Sequence, residues 1–200
     1  PQAMDALREA VAMGADEAVL ISDRAFAGSD TLATSYTISQ AIKKIGNFDI
    51  IMCGKQALDG DTAQVGPGIA VALKLPQTAF VKKVEQVEKR FITVERMTED
   101  GYDVVKLMLP CVLTVVKEIN TPRYASLAGK VRAKRGKINV WGAKELACDE
   151  KRLGLKGSPT WVEKIFAPPV KKGTEPLSAT KDNILTVAKN VTDYLKSLGK

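Results

Sequence analysis

The residues best suited by type and spacing to do chemistry lie in the run Cys53-Gly54-Lys55-Gln56-Ala57-Leu58-Asp59-Gly60-Asp61-Thr62-Ala63-Gln64-Val65-Gly66-Pro67-Gly68. An apolar strand-like segment feeds a glycine-containing loop that opens into a helix. Free backbone N–H groups at a helix start, with the positive end of the helix dipole, attract an anion such as a phosphate. Asp61 with Gln64 three residues later reads as an N-cap with its capping-box partner. Gly60, Ala63 and Gly66 are small enough for a ligand to reach the main chain. The same pattern also fits a capped helix that binds nothing. Cys53 lines the pocket on the first reading and is a small core residue on the second.

What the sequence lacks narrows the chemistry further. It contains no histidine, so it supplies no Ser-His-Asp or Cys-His relay and no imidazole to a metal. Cys53, Cys111 and Cys148 are odd in number and tens of residues apart, which gives neither a disulfide framework nor a CxxC pair and suits a reducing compartment. Any redox or group-transfer chemistry is therefore borrowed from a cofactor, or else uses carboxylates and lysines. Between Lys117 and Lys137 there are seven basic residues against Glu118 alone, so this segment carries +6 of the net +7. It is a solvated face, or a surface that docks an acidic partner or an anion. Few aromatics lie near it, which argues against nucleic acid.

The elements that position these residues can be read from periodicity. Two hundred residues with a 45% hydrophobic share are enough to bury a core. No apolar run approaches the roughly 20 residues that span a bilayer, so membrane insertion is not expected. Ala3, Ala6, Leu7, Ala10 and Val11 predict a helix ending at Gly14, and Ala18–Ile21 a buried strand. Asp30 predicts the cap of a helix over Thr31 to Ile45, followed by a second buried strand at Phe48–Cys53 and a helix over Asp61 to Leu73. This alternation predicts an α/β fold with a doubly wound, mostly parallel sheet.

Ala79–Val87, Arg90–Arg96 and Tyr102–Leu109 alternate polar and apolar positions, as antiparallel hairpins with one wet face do. Cys111–Val116 returns to the buried style and is expected to rejoin the main sheet. From Lys117 to about Pro176 the periodicity is weak, which predicts loops with short strands near Ile138–Val140 and Val162–Phe166. A terminal helix over about Ser178 to Leu198 carries the stripe Ile184, Leu185, Val187, Ala188, Val191, Leu195 and Leu198. The expected division is a nucleotide-binding α/β domain over 1–140 and, over 141–200, a C-terminal arm plus helix packing on a partner subunit. Trp141 and Trp161 are expected to serve packing or that interface.

The run Gly54 to Gly66, the following Leu75-Pro76-Gln77-Thr78, and Pro122-Arg123-Tyr124-Ala125-Ser126-Leu127 with its basic string resemble the β subunit of electron transfer flavoproteins. The motifs stand in that family's order, some sixty residues apart, and the resemblance covers nearly the whole chain. The family's members begin with further strand and helix segments, whereas this sequence opens inside a helix. The resemblance therefore implies that the opening strand, and the adenine contacts it brings, lie outside this sequence.

The resemblance implies a doubly wound domain paired in a heterodimer with a larger, flavin-carrying α subunit. The pair passes electrons between acyl-CoA dehydrogenase-type flavoenzymes and an acceptor. Cys53, Gly54, Gln56, Asp61, Thr62, Ala63, Gln64 and Val65 would hold AMP or, in electron-bifurcating members, a second FAD. The stretch Ser22 to Ser35 resembles the bifurcating class, which favours FAD and adds Asp23, Arg24, Phe26, Thr31 and Thr34 to the cofactor-binding set. In that class NADH delivers a hydride to the β-subunit flavin, and the electrons part toward the α subunit and a low-potential acceptor, ferredoxin or flavodoxin.

Tyr124, Ala125, Ser126 and Leu127 resemble the family's docking loop, with Arg132 and Lys134 steering the partner. The implied location is the bacterial cytoplasm, or by the same family resemblance the mitochondrial matrix. The alternative to a redox carrier is a non-redox adenine-nucleotide-binding regulatory module on the same fold.

Overall fold

The computed structural model describes residues 3–58, 60–166 and 180–198. It divides into two compact units, Pro1–Trp161 and Val162–Lys200. In the first unit, helix α1 (Ala3–Met13) stops at Gly14, whose φ of 127° leaves the helical region while its N–H still reaches the carbonyls of Ala10 and Val11. Strand β1 (Val19–Ile21), one turn of 3-10 helix (Arg24–Phe26) and α2 (Thr31–Ile45) follow. Gly46 ends α2 at a φ of 64°, its N–H bonded to Ile42. Then come β2 (Ile50–Gly54) and α3 (Val65–Leu73), and next β3 (Gln77–Val87), β4 (Phe91–Met97), β5 (Tyr102–Met108) and β6 (Cys111–Val115). Helix α4 (Leu127–Arg135) and strand β7 (Asn139–Trp141) complete this unit's regular elements.

Five strands form one sheet in the order β2-β6-β3-β4-β5. β2, β6 and β3 run parallel, and β3-β4-β5 is an antiparallel meander. The return of Cys111–Val116 to the main sheet is thus observed, with β6 between β2 and β3. Cys111, Val112, Leu113 and Thr114 are all buried, as a central parallel strand covered on both faces requires. They join Val81, Ile92, Val94 and Leu107 in the core. β5 is an edge; Lys106 and the exposed Tyr102, Val104 and Met108 lie along it, and the charge guards against edge-to-edge pairing.

β1 pairs in parallel with β7 in a separate two-stranded sheet, in register from Val19↔Asn139 to Ile21↔Trp141. The single sheet expected from the alternating pattern is thus two sheets. Among the described residues each of β1 and β2 is hydrogen-bonded along one edge, and α2 is the crossover that joins them.

Two expectations for the later chain are corrected. Leu127–Arg135 is a helix, not loop: its apolar stripe is short, but Leu, Ala, Lys and Arg favour helix, and the Ser126 hydroxyl caps it by accepting from the Gly129 N–H at 3.0 Å. Residues 162–166 form no strand; Val162, Ile165 and Phe166 are exposed and have no ladder partner. Residues 142–160 belong to the first unit. In the second, α5 (Ile184–Leu198) starts later than the predicted Ser178, and 178 and 179 lie outside the described residues. Thr180 bonds Asn183 just before α5, and Ile184, Leu185, Val191 and Leu195 are exposed.

Candidate functional site

Helix α3 begins at Val65, not Asp61, and this corrects the capping-box reading. Asp61 and Ala63 sit at φ of 47° and 53°, so neither lies in the right-handed helical region. The Asp61 N–H turns back to the Ala57 carbonyl at 3.0 Å, and its carboxylate accepts from the Gln56 amide. The N-cap is Gln64, which makes no side-chain cap bond. The N–H groups of Val65 and Gly66 have no acceptor among the described residues, and Pro67 has no N–H to satisfy.

Ala63 at positive φ followed by the right-handed Gln64 at φ −92° and ψ −23° is the kind of pairing by which successive N–H groups form anion-binding concavities in proteins. Non-glycine residues held at positive φ cost about 1–3 kcal/mol each and cluster at functional sites.

Glycines bring the surrounding elements together. A Cβ on Gly66 would run into the Thr114 methyl and come within 3.5 Å of Cys53 Cβ, so α3 starts directly on β6 and β2. A Cβ on Gly68 would meet Ser35 Oγ, and that hydroxyl donates to the carbonyls of Thr31 (2.6 Å) and Val65 (3.2 Å). Thr31 Oγ1 donates to Gln64 Oε1 at 2.8 Å, which ties the start of α2 to the start of α3. The Cys53 thiol is half-buried here, and loss of water raises its pKa from the ordinary 9.0. The crevice lies beyond the carboxyl ends of β2 and β6, where open α/β sheets bind ligands.

α2 closes its own start. Asp30 Oδ1 accepts from the N–H groups of Leu32 (2.9 Å) and Ala33 (3.0 Å), as the sequence predicts, while Oδ2 accepts from the Thr160 N–H and hydroxyl at 3.2 and 3.0 Å. Burial alone would raise this carboxyl; the donors Ala33, Thr160 and Leu32 outweigh it and hold it below its ordinary 3.8. Asp23 is held low by the Ala25 and Ala143 N–H groups.

Residues 142–160 run as a strap along α2. Lys44 donates to the Glu145 carbonyl and lies 4.9 Å over the Trp141 ring. The Tyr36 hydroxyl accepts from the Asp149 N–H while Arg152 stacks on its ring, and Ser158 accepts from the Asp30 N–H.

The sequence-derived site residues therefore divide. Cys53, Ala63, Gln64, Val65 and Thr31 meet at the crevice, with Gly54, Gln56, Asp61 and Thr62 exposed along its loop. Asp23 is engaged as the cap of the 3-10 turn, and Arg24 is exposed on it. Phe26 and Thr34 instead line an apolar groove of about 460 Å³ with Leu7, Leu20 and Ile38, between α1, β1 and α2.

Sequence reasoning missed Lys55 and Phe80. Phe80 sits at a φ of 62° where the β3–β6 register shifts, its N–H on Thr114 Oγ1, and the Lys55 ammonium lies 5.3 Å over its ring. Lys55 directly after the strand-ending Gly54 was the available signal; no local pattern marks the bulge.

In the docking segment, Tyr124 is fully exposed, Leu127 is 81% exposed as the first residue of α4, Ala125 packs against α1, and Ser126 is the cap. Lys134 and Arg132 are both exposed, and the Arg132 guanidinium also donates to the Val11 carbonyl at 2.8 Å. Among the described residues there is no cluster of metal-ligating side chains and no helix long and apolar enough to cross a membrane.

The chain is similar to known proteins along most of its length. A family model described as the electron transfer flavoprotein domain matches residues 1–146. The electron transfer flavoprotein subunit beta of Megasphaera elsdenii is 46% identical, over 97% of this chain and 74% of that protein. The caffeyl-CoA reductase-Etf complex subunit CarD of Acetobacterium woodii is likewise 46% identical, over 98% of this chain and 74% of that protein. Protein FixA of Sinorhizobium fredii is 50% identical, over 84% of this chain and 61% of that protein.

Proposed function

The chain belongs to the electron transfer flavoprotein family as a β subunit, and we propose that it holds the phosphates of a nucleotide at the start of α3 while the carbonyl-anchored α4 presents a docking edge to a partner flavoenzyme. β subunits of this family pair with an α subunit, and the complex carries electrons on flavin. The observation that supports the binding site is the contrast at the crevice: α2 is capped by its own Asp30, whereas the N–H groups of Val65 and Gly66 stand open behind the Ala63–Gln64 turn. Several charge-assisted bonds of about 1.5–3 kcal/mol each would anchor a phosphate there. The small Cβ-free face of Gly66 lets the helix start sit on the sheet, and Lys55 is the nearest cation on the loop.

The nucleotide we favour is FAD, with AMP as the alternative. Similarity to CarD, a subunit of a reductase–Etf complex, supports the bifurcating class with NADH as donor and ferredoxin or flavodoxin as one acceptor. When bound, a flavin supplies the one- and two-electron chemistry that a chain without histidine does not. This chain's residues orient it: the α3 start fixes the phosphates, Thr31 and Gln64 join the two helices that flank it, and Cys53 limits water on the sheet side. Tyr124 and Leu127 are the apolar anchors offered to an acyl-CoA dehydrogenase-type partner, with Lys130, Lys134 and Arg135 around them.

The deciding experiment is release and identification of nucleotides from the purified α–β complex. Two FAD per heterodimer are expected. One FAD with one AMP would leave family and site in place and end the bifurcating reading. Flavin-free complex with adenine nucleotide alone would favour a non-redox regulatory module.

A further inference from the structure

The basic segment of the docking region is attached to the fold by a reciprocal pair of arginines. Arg132 on α4 donates Nη2 to the carbonyls of Val11 (2.8 Å) and Ala15 (3.5 Å), while Arg8 on α1 donates Nη1 to the Ala133 carbonyl at 2.7 Å. Val11 and Ala133 both lie in the last turn of their helices, where the negative end of the dipole favours a cation and carbonyls lack donors from within the helix, although the Val11 carbonyl also accepts from the Gly14 N–H at 3.2 Å. Each helix thus completes the other's end.

The rest of the seam between the two helices is small side chains and close main chain. The apolar contact is Val11, Ala12 and Ala133 with Ala15, Ala18 and Ala125, side chains too short to interlock. Gly129 lies so close that an added Cβ would run into the Ala12 carbonyl. The main chains are therefore nearly in contact, and this close approach and the arginine–carbonyl bonds together set the angle of α4 on α1. Tyr124 and Leu127 flank the Ser126 cap, so any rotation of α4 swings both.

We propose that Arg132 is a positioning residue for docking: through Val11 and Ala15 it holds α4 at the angle that presents Leu127 and Tyr124, and its charge is not what the partner reads. This rests on the proposed docking role of that edge. An arginine suits this place because its Nη2 alone meets both carbonyls while the rigid, planar guanidinium fixes the direction of those N–H groups, whereas a lysine ammonium on a shorter, freely rotating stem does not hold them in the same geometry.

The test uses the α–β complex with its nucleotides bound, an acyl-CoA dehydrogenase-type flavoenzyme of the same organism as partner, and a small dye acceptor as the partner-free control. Arg132→Lys keeps the charge and should raise KM for the partner about tenfold, as misplacement of a positioned group does, with kcat, dye reduction and nucleotide content at parental levels. Arg132→Gln should match it, and Gly129→Ala, which changes no charge, should move KM the same way. Neutralising Lys134 should instead flatten the salt dependence.

Parental KM in Arg132→Lys overturns the proposal, because retained charge would then suffice. Loss of dye reduction and nucleotide in every Arg132 variant overturns it too, since the residue would then support the whole fold. Leu127→Ala separates the two levels. If it transfers at the parental rate with subsaturating partner, the docking edge itself is wrong; if it is impaired while Arg132→Lys is not, only the clamp is wrong.

Discussion

The starts of α2 and α3 face each other across the Thr31–Gln64 hydrogen bond, yet α2 closes its first turn with its own carboxylate and α3 leaves that turn open. Both are preceded by an aspartate in a glycine-containing stretch. At α2 the residue before the helix has φ −79° and ψ −171°, the extended geometry that lets a side chain fold back onto the next N–H groups. At α3 two left-handed residues turn the chain, and the carboxylate of Asp61 is carried to Gln56 instead. The contrast separates a helix end closed by its own carboxylate from one whose first N–H groups have no acceptor among the described residues, and the backbone before the helix decides which it is.

The sharpest way to break this comparison is at Gly66. Gly66→Ala places a methyl against Thr114 of the buried strand β6, and overpacking of that kind costs about 1–3 kcal/mol. A lowered thermal midpoint together with lost nucleotide is expected; an unchanged midpoint would mean that α3 does not rest on the sheet as described.

A smaller effect distinguishes the two aspartates. Asp30→Ala should cost about 0.5–2 kcal/mol as a lost cap, and it also releases Thr160 from the same carboxylate. Asp61→Gly should change stability by less than about 0.5 kcal/mol, because glycine takes a φ of 47° without strain. Equal losses in denaturant titrations of the two variants would restore the cap to Asp61.

The mildest perturbation is acid. Asp30 has a folded pKa below its ordinary 3.8, so its contribution is complete above the unfolded value and disappears as pH falls through the folded one. Amide exchange at Leu32 and Ala33 should be flat in protection above about pH 4 and lose it below. Protection that falls between neutrality and pH 5 would assign the effect to some other group.

Much of this was legible in the sequence because it is local. Asp30, the β3-β4-β5 meander and the buried run Cys111–Thr114 announce themselves by cap chemistry, alternation or continuous apolarity, and each stands close to where it was read. The misread parts depend on residues far apart. Asp61 and Gln64 satisfy the capping-box pattern, but the chain takes positive φ at Asp61 and Ala63 just before α3 packs on Thr114 and Ser35, and no local spacing records either. Helix α4 was invisible because its partner surface on α1 is alanine and carbonyl oxygen, leaving too few apolar residues to mark a period. The hydrogen bonds of the exposed Arg132 could not be read for the same reason, its acceptors lying more than a hundred residues earlier.

The strap along α2 also bears on how the crevice comes into being. Asp30 meets Leu32 and Ala33 within three residues but Thr160 only across 130. Each doubling of a closed loop adds only about 0.6 kcal/mol of entropy cost, so the distance weighs little at equilibrium. It weighs on order in time, since long-range contacts form slowly and after local ones. During synthesis the first turn of α2 can be closed on its inner side as soon as Ala33 has been added, whereas its outer side waits for the remainder of the first unit. The flank of the crevice that the strap covers therefore assembles late, and nascent chains that end before Arg152 should carry an α2 whose beginning is half protected and whose Tyr36 ring is still bare.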